Sequence, residues 1–179
     1  MLKRGCKIDM VGFQRHLWNT NEMRRIAEGS DNIGALWEIP RQREILGELD
    51  ALNIPIHISE VTILPTERTA RGYKAQATIL RNYYKLWFSI RNMAGITYWR
   101  SIDTPDKYEI NPDEPNFAGL LDVNAEKRPA YYAIGDLINK EWKTRMEVKP
   151  NADGVVKFRG FRGKYKIQWT DADGNCREK

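Results

Sequence analysis

Three short apolar runs, each followed by helical periodicity, constrain this chain more than any other feature. Ile8 to Phe13, Ile54 to Ile58 and Gly95 to Trp99 are rich in β-branched and aromatic residues and have strand length. The first run passes into a polar loop through Asn21. A helix is predicted from Pro40, a residue suited to a first helical turn, with Ile45, Leu46, Leu49 and Leu52 on one face. The second run leads through a loop containing Pro65 into a helix predicted from Tyr73 to Met93. There Ile79, Leu80, Tyr83, Leu86, Trp87 and Ile90 recur at helical spacing. The third run opens into a long loop rich in Asp, Pro and Asn, closed by a helix predicted from Pro129 to Glu141.

Strand and helix alternating three times is the pattern of an α/β fold with a parallel sheet. An open doubly wound sheet and a segment of a β/α barrel both satisfy it. No glycine-rich phosphate loop follows any strand, which argues against a nucleotide-binding version. At 179 residues the chain is long enough for one sizeable core, yet short of the ~250 residues of a typical barrel. After Trp142 the character changes. Asp153-Gly154 and Asp173-Gly174 are turn dipeptides, and Val155 to Phe158 and Tyr165 to Trp169 read as short strands. The expected division is therefore 1–142 and a small β appendage, 143–179.

Composition removes several classes of function. With 41% hydrophobic and 30% charged residues, the chain is of globular type. No apolar run approaches the ~20 residues of a membrane span, so no membrane partner is expected. Cys6 and Cys176 lie far apart and form no CxxC pair, so neither a metal site nor a redox motif is expected. The formal charge is +5, and the positives are scattered except between Lys157 and Lys166. The glycines and alternation of that stretch suit a solvated hairpin better than a nucleic-acid surface, and no nucleic-acid partner is expected.

In parallel barrels, chemistry sits where strands end and βα loops begin. The residues there are Gly12-Phe13-Gln14-Arg15-His16, His57-Ile58-Ser59-Glu60 and Thr97-Tyr98-Trp99-Arg100-Ser101-Ile102-Asp103. On one rim, Gln14, His16, Glu60, Trp99 and Asp103 would make a sugar site: hydrogen-bonding groups for hydroxyls, an aromatic face for a pyranose, and a carboxylate. His57 reads as packing or solvent-facing.

The same segments resemble glycoside hydrolase family 10, the barrel xylanases. IDMVGFQRHL is similar to that family's sixth-strand motif, a glycine-aromatic-glutamine-x-histidine run. IPIHISEVTI resembles the seventh-strand motif carrying the nucleophile, and ITYWRSIDTPDKY the eighth-strand motif, Trp-Gly-x-x-Asp. LLDVNAEKRPAYYAI is similar to the run that opens the final helix, and the segment after EWKTRM to a β tail of some members. The resemblance implies the last three βα units of a (β/α)8 barrel followed by a β tail. It implies a retaining endo-β-1,4-xylanase acting on xylan without metal or cofactor, secreted or periplasmic.

Carried over residue by residue, the resemblance makes Glu60 the nucleophile and His16 its partner. Gln14, Trp99, Asp103 and Tyr108 become substrate-binding residues. Three positions depart from the family pattern. Thr62 stands where an aspartate is usual, Arg100 where a glycine is, and Tyr108 one position late for a second tryptophan. The acid/base glutamate of the family lies on its fourth strand, outside this sequence. Cleavage with retention needs two carboxylates about 5–5.5 Å apart. The chain is thus expected to hold half a catalytic pair, and to need the missing barrel half or self-association for stability. The alternative is a non-catalytic carbohydrate-binding remnant.

Overall fold

Alternation of side chains across a strand decides how the apolar runs become a sheet. In a computed structural model describing residues 1–29, 37–105 and 117–179, the chain divides into two units, Met1–Leu137 and Ile138–Lys179. In the first, β1 (Val11–Leu17), β2 (Ile56–Ile63) and β3 (Met93–Tyr98) pair in parallel in the order β1-β2-β3. Helices α1 (Thr20–Ala27) and α2 (Ile39–Asp50) follow β1, α3 (Ala70–Phe88) follows β2, and α4 (Pro129–Asp136) comes after β3. The α/β class and the parallel sheet are as the sequence implies.

Two strands extend further than the apolar runs suggest. β1 reaches Leu17 and β2 reaches Ile63, so Gln14, His16 and Glu60 lie within strands and not in the loops after them. Polar residues gather on one face, Arg15 of β1 being the exception. On the other, Leu17, Ile56, Ile58, Val61 and Ile63 are fully buried. That burial switches phase between Ile58 and Val61, where even positions give way to odd ones.

A β-bulge causes the switch. Phe13 pairs with Ile58 but Gln14 pairs with Glu60, so Ser59 is an extra residue against β1. The β3 ladder agrees, since Ile58 pairs with Ile96 and Val61 with Tyr98. Bulges of this kind re-aim side chains and are common beside active sites. The Ser59 hydroxyl donates to the Phe13 carbonyl at 3.2 Å, tying the bulge down.

Helix α3 carries much of the core. Ile79, Leu80, Tyr83, Leu86 and Trp87 are buried along one side, as their spacing predicts. It starts earlier than Tyr73 because Thr69 caps it, its hydroxyl accepting from the Gly72 amide at 3.2 Å. Gly72 is obligatory there, since a Cβ would lie 2.0 Å from the Glu67 carbonyl oxygen. The helix ends at Phe88, and Asn92, bound by its amide and side chain to Asp50, leads into β3. Two buried hydrogen bonds tie α3 to the segment that precedes β2. The Trp87 indole donates to Gln42 Oε1 at 2.8 Å, and the Tyr83 hydroxyl donates to the Trp37 carbonyl at 2.6 Å.

Two helical expectations need correction. The polar stretch after β1 is not all loop, because Asn19 accepts from the Asn21 and Glu22 amides and starts α1 there. In α2, Leu46 is buried, but Leu52 lies beyond the helix end and is exposed.

The unit Ile138–Lys179 begins within a π-helical turn, Leu137–Glu141. Its paired strands are β4 (Gln168–Thr170) and β5 (Cys176–Glu178), antiparallel. Gly174 turns the hairpin with φ 84°, and Asp171 Oδ1 accepts from the Asp173 and Asn175 amides. The expected strand at Val155–Phe158 does not form, although its turn does, with Gly154 at φ 75°. The sequence 165–169 becomes strand only at its end, where the terminal residues supply a partner.

Candidate active site

The polar face of the sheet is assembled by the bulge. On β1, Gly12, Gln14 and His16 alternate with Phe13, Arg15 and Leu17. Across the ladder, the bulge turns Glu60 toward that polar row, while Val61 returns to the core. His16 Nε2 lies 3.3 Å from Glu60 Oε2. The side chains are 12% and 26% exposed, so the pair is sheltered but reachable from solvent.

An ionised carboxylate only accepts hydrogen bonds, so the contact requires His16 to carry a proton on Nε2. His16 Nδ1 is buried and has no hydrogen-bond partner among the described residues. A lone pair on Nδ1 costs less there than an unmatched N–H, which favours the tautomer whose proton sits on Nε2, aimed at Glu60. Trp18 stacks on the His16 ring, with centroids 4.7 Å apart and planes at 18°. The sequence reading missed Trp18, which lies one residue past the end of β1 and two beyond His16.

Trp99 stands just past β3, 42% exposed. Its amide donates to the Val61 carbonyl at 2.8 Å, and its own carbonyl accepts from the Thr62 hydroxyl at 3.3 Å. Thr62, fully buried, thus works as a clamp between β2 and the Trp99 backbone. Next along, Arg100 adopts φ 58°, the left-handed region that glycine enters freely. His57 faces the same side lower in the sheet, its Nε2 2.9 Å from Thr97 Oγ1.

Asp103 takes a different position from the others. It is 7% exposed, and Oδ2 meets Arg128 Nη2 at 2.5 Å while Oδ1 accepts from the Gly119 amide at 2.6 Å. Arg128 also donates to the Phe117 carbonyl and lies over the Tyr73 ring. Burial pushes the Asp103 carboxyl above its ordinary range, and the Gly119 amide and Arg128 guanidinium draw it partly back. Both carboxylate oxygens serve the loop between β3 and α4. The structure thus brings His16 and Glu60 into contact, sets Gln14 beside Glu60 in register, and gives Asp103 a set of partners of its own. Tyr108 lies outside the described residues.

A carboxylate flanked by an imidazole donor on a polar sheet face can act as a nucleophile or an acceptor for sugar hydroxyls. Among the described residues no cluster of His, Cys, Asp and Glu could hold a metal ion.

Known proteins resemble the chain in sequence and in fold. The sequence model of Glycosyl hydrolase family 10 matches residues 1–137. The native xylanase 10B of Thermotoga maritima is similar in structure, with a TM-score of 0.59 and 22% identity, over 78% of this chain and 39% of that one. Xylanase 10B from Thermotoga petrophila RKU-1, in complex with xylobiose, gives 0.58 and 22% over the same shares. These likenesses show a barrel-type α/β fold. An anti-sigma-I factor of Acetivibrio thermocellus, RsgI6, is 27% identical over 93% of this chain and 18% of its own length. The chain thus spans about two-fifths of the solved relatives and under a fifth of the curated one.

Proposed function

The chain belongs to glycosyl hydrolase family 10, and from that premise we propose that it supplies the nucleophile side of a retaining endo-β-1,4-xylanase site. Its three βα units are the last three of a (β/α)8 barrel. The remaining strands come from further polypeptide or from another copy. The observation that carries the reading is the 3.3 Å contact between His16 Nε2 and Glu60 Oε2 on the polar face of a parallel sheet.

In this mechanism the Glu60 carboxylate attacks the anomeric carbon of a xylose unit as the glycosidic C–O bond breaks. The departing oxygen takes a proton from an acid on the missing barrel half. Water then attacks the glycosyl ester and gives its proton to the same group, now a base, freeing Glu60. His16 holds Glu60 in one rotamer by a hydrogen bond, Gln14 meets a sugar hydroxyl, and Trp99 offers a ring face to a pyranose. Asp103 serves by anchoring the loop that follows Trp99.

A second reading is binding of a β-glycan without cleavage. The similarity to a protein named as an anti-sigma-I factor favours it, because there the sequence segment belongs to a protein named for regulation and not for hydrolysis.

An activated substrate separates the two. The dinitrophenyl glycoside of 2-deoxy-2-fluoroxylobiose has a leaving group that departs without protonation, so it needs the nucleophile and not the acid. The fluorine slows hydrolysis of the ester, so the label persists. The chain should gain one fluoroxylobiosyl mass, mapped to Glu60, and Glu60→Gln should gain none. Xylo-oligosaccharide binding with no label favours the second reading, and a label on any other residue sinks the first.

A further inference from the structure

The unit Ile138–Lys179 carries the whole formal charge of the chain. It holds eleven Lys and Arg against six Asp and Glu, a net +5, whereas residues 1–137 balance at eighteen of each. Five of these cations, Lys143, Arg145, Arg162, Lys164 and Lys166, line one cleft of about 420 Å³. No acidic side chain lines it. Lys166 is paired with Glu178 at 2.7 Å, and the other four make no ion pair among the described residues. Converging like charges repel one another, and an anion between them relieves that cost.

The cleft is also aromatic and its wall is held in place. Trp142, Phe161 and Tyr165 line it beside the cations. Thr144 Oγ1 accepts from the Phe161 amide at 3.0 Å and lies 3.3 Å from the Tyr165 hydroxyl, which donates to the Phe161 carbonyl. Gly160 permits this closure, because a Cβ there would lie 2.1 Å from the Tyr165 hydroxyl. The bend from 160 to 165 is thus cross-tied to residue 144, a pre-formed shape and not a loose basic tail.

We propose that this cleft binds a carboxylate-bearing polysaccharide, a chain of uronic acid sugars. Guanidinium and ammonium groups bond sugar carboxylates by charge-assisted hydrogen bonds, and the rings cover the apolar faces of pyranoses. The volume lies within the ~300–1,000 Å³ of small-ligand sites and suits one or two sugar rings. A single-stranded nucleic acid instead needs a groove that runs on for about 4–16 nucleotides. The choice of a glycan rests on the chain's family, not on the role of Glu60.

The test titrates polygalacturonate, uncharged arabinoxylan and a single-stranded oligonucleotide into the full chain at about 0.15 M salt, where distant charge is screened. Polygalacturonate should bind roughly tenfold or more tighter than either rival, the effect of one or two charge-assisted bonds. Arg162→Gln/Lys164→Gln should weaken it by about tenfold, and Lys149→Gln/Lys157→Gln, which removes equal charge outside the cleft, by less than about twofold. The cleft variant should leave fluoroxylobiosyl labelling of Glu60 unchanged, which separates this proposal from the catalytic one. Tighter binding of the oligonucleotide, equal weakening by the two double variants, or no preference over arabinoxylan overturns it.

Discussion

Gln14 of β1 sits directly across from Glu60 of β2, although the pair before it, Phe13 and Ile58, counts one residue differently. The site depends on that slip, because regular alternation through Ser59, with no bulge, would turn Glu60 to the core face and Val61 to the polar one.

The bulge gives a specific expectation for deletions. Removing Ser59 joins Ile58 to Glu60, keeps Ile56, Ile58, Val61 and Ile63 on the core face, and should leave a cooperative thermal transition. Removing Ile58 instead takes out one buried side chain and leaves Ser59 in its place, a loss of about 2–5 kcal/mol or more. Melting curves of the two deletions should differ sharply; equal loss would show that the bulge does not set the phase.

His16→Ala removes the donor that faces Glu60 and the ring that stacks on Trp18. A hydrogen bond to a charged group contributes about 1.5–3 kcal/mol, so labelling of Glu60 by the activated fluoroxylobioside should slow roughly ten- to a hundredfold. His57→Ala, which loses only the Thr97 contact, should label at nearly the wild-type rate. The paired rate constants check the assignment.

Arg128→Met strands the Asp103 carboxylate in its buried site, and the cost at pH 7 should be about 3–5 kcal/mol. The folded carboxyl is raised above its unfolded value, so the protonated form is favoured in the fold. Its contribution to stability is fully present below the unfolded value and is lost as pH rises through the folded one. Wild type and variant should therefore lie closer together at pH 4 than at pH 7 in urea unfolding. A constant gap would mean that Asp103 stays ionised throughout.

At position 100 the backbone is left-handed, which costs a residue with a Cβ about 1–2 kcal/mol and a β-branched one more. Arg100→Val should therefore be less stable than Arg100→Gly by at least about 1 kcal/mol, read as a difference in denaturation midpoint. The same geometry explains why glycine is usual at the matching family position.

The order of elements was legible because it rests on hydrophobic period, which survives polar interruptions on the exposed face. Strand ends were not, since Gln14, His16, Ser59 and Glu60 look like loop residues until the sheet gives them a polar side to occupy. Helix α1 escaped notice because a single asparagine cap and two apolar residues, Met23 and Ile26, define it. Motif order pointed to Glu60 and His16. Only coordinates could show Trp18 beside the imidazole, or Arg128, 25 positions away, closing on Asp103. The β appendage was misread in part because its strands depend on which distant segment pairs with them, and periodicity holds no such information.

The uneven distribution of charge bears on how the molecule behaves in bulk. With equal numbers of acidic and basic groups, the larger unit has no long-range repulsion to keep copies of itself apart at neutral pH. Severed by a protease near residue 138, it should cloud and settle near pH 7, whereas the intact chain stays clear because every copy carries a cationic extension.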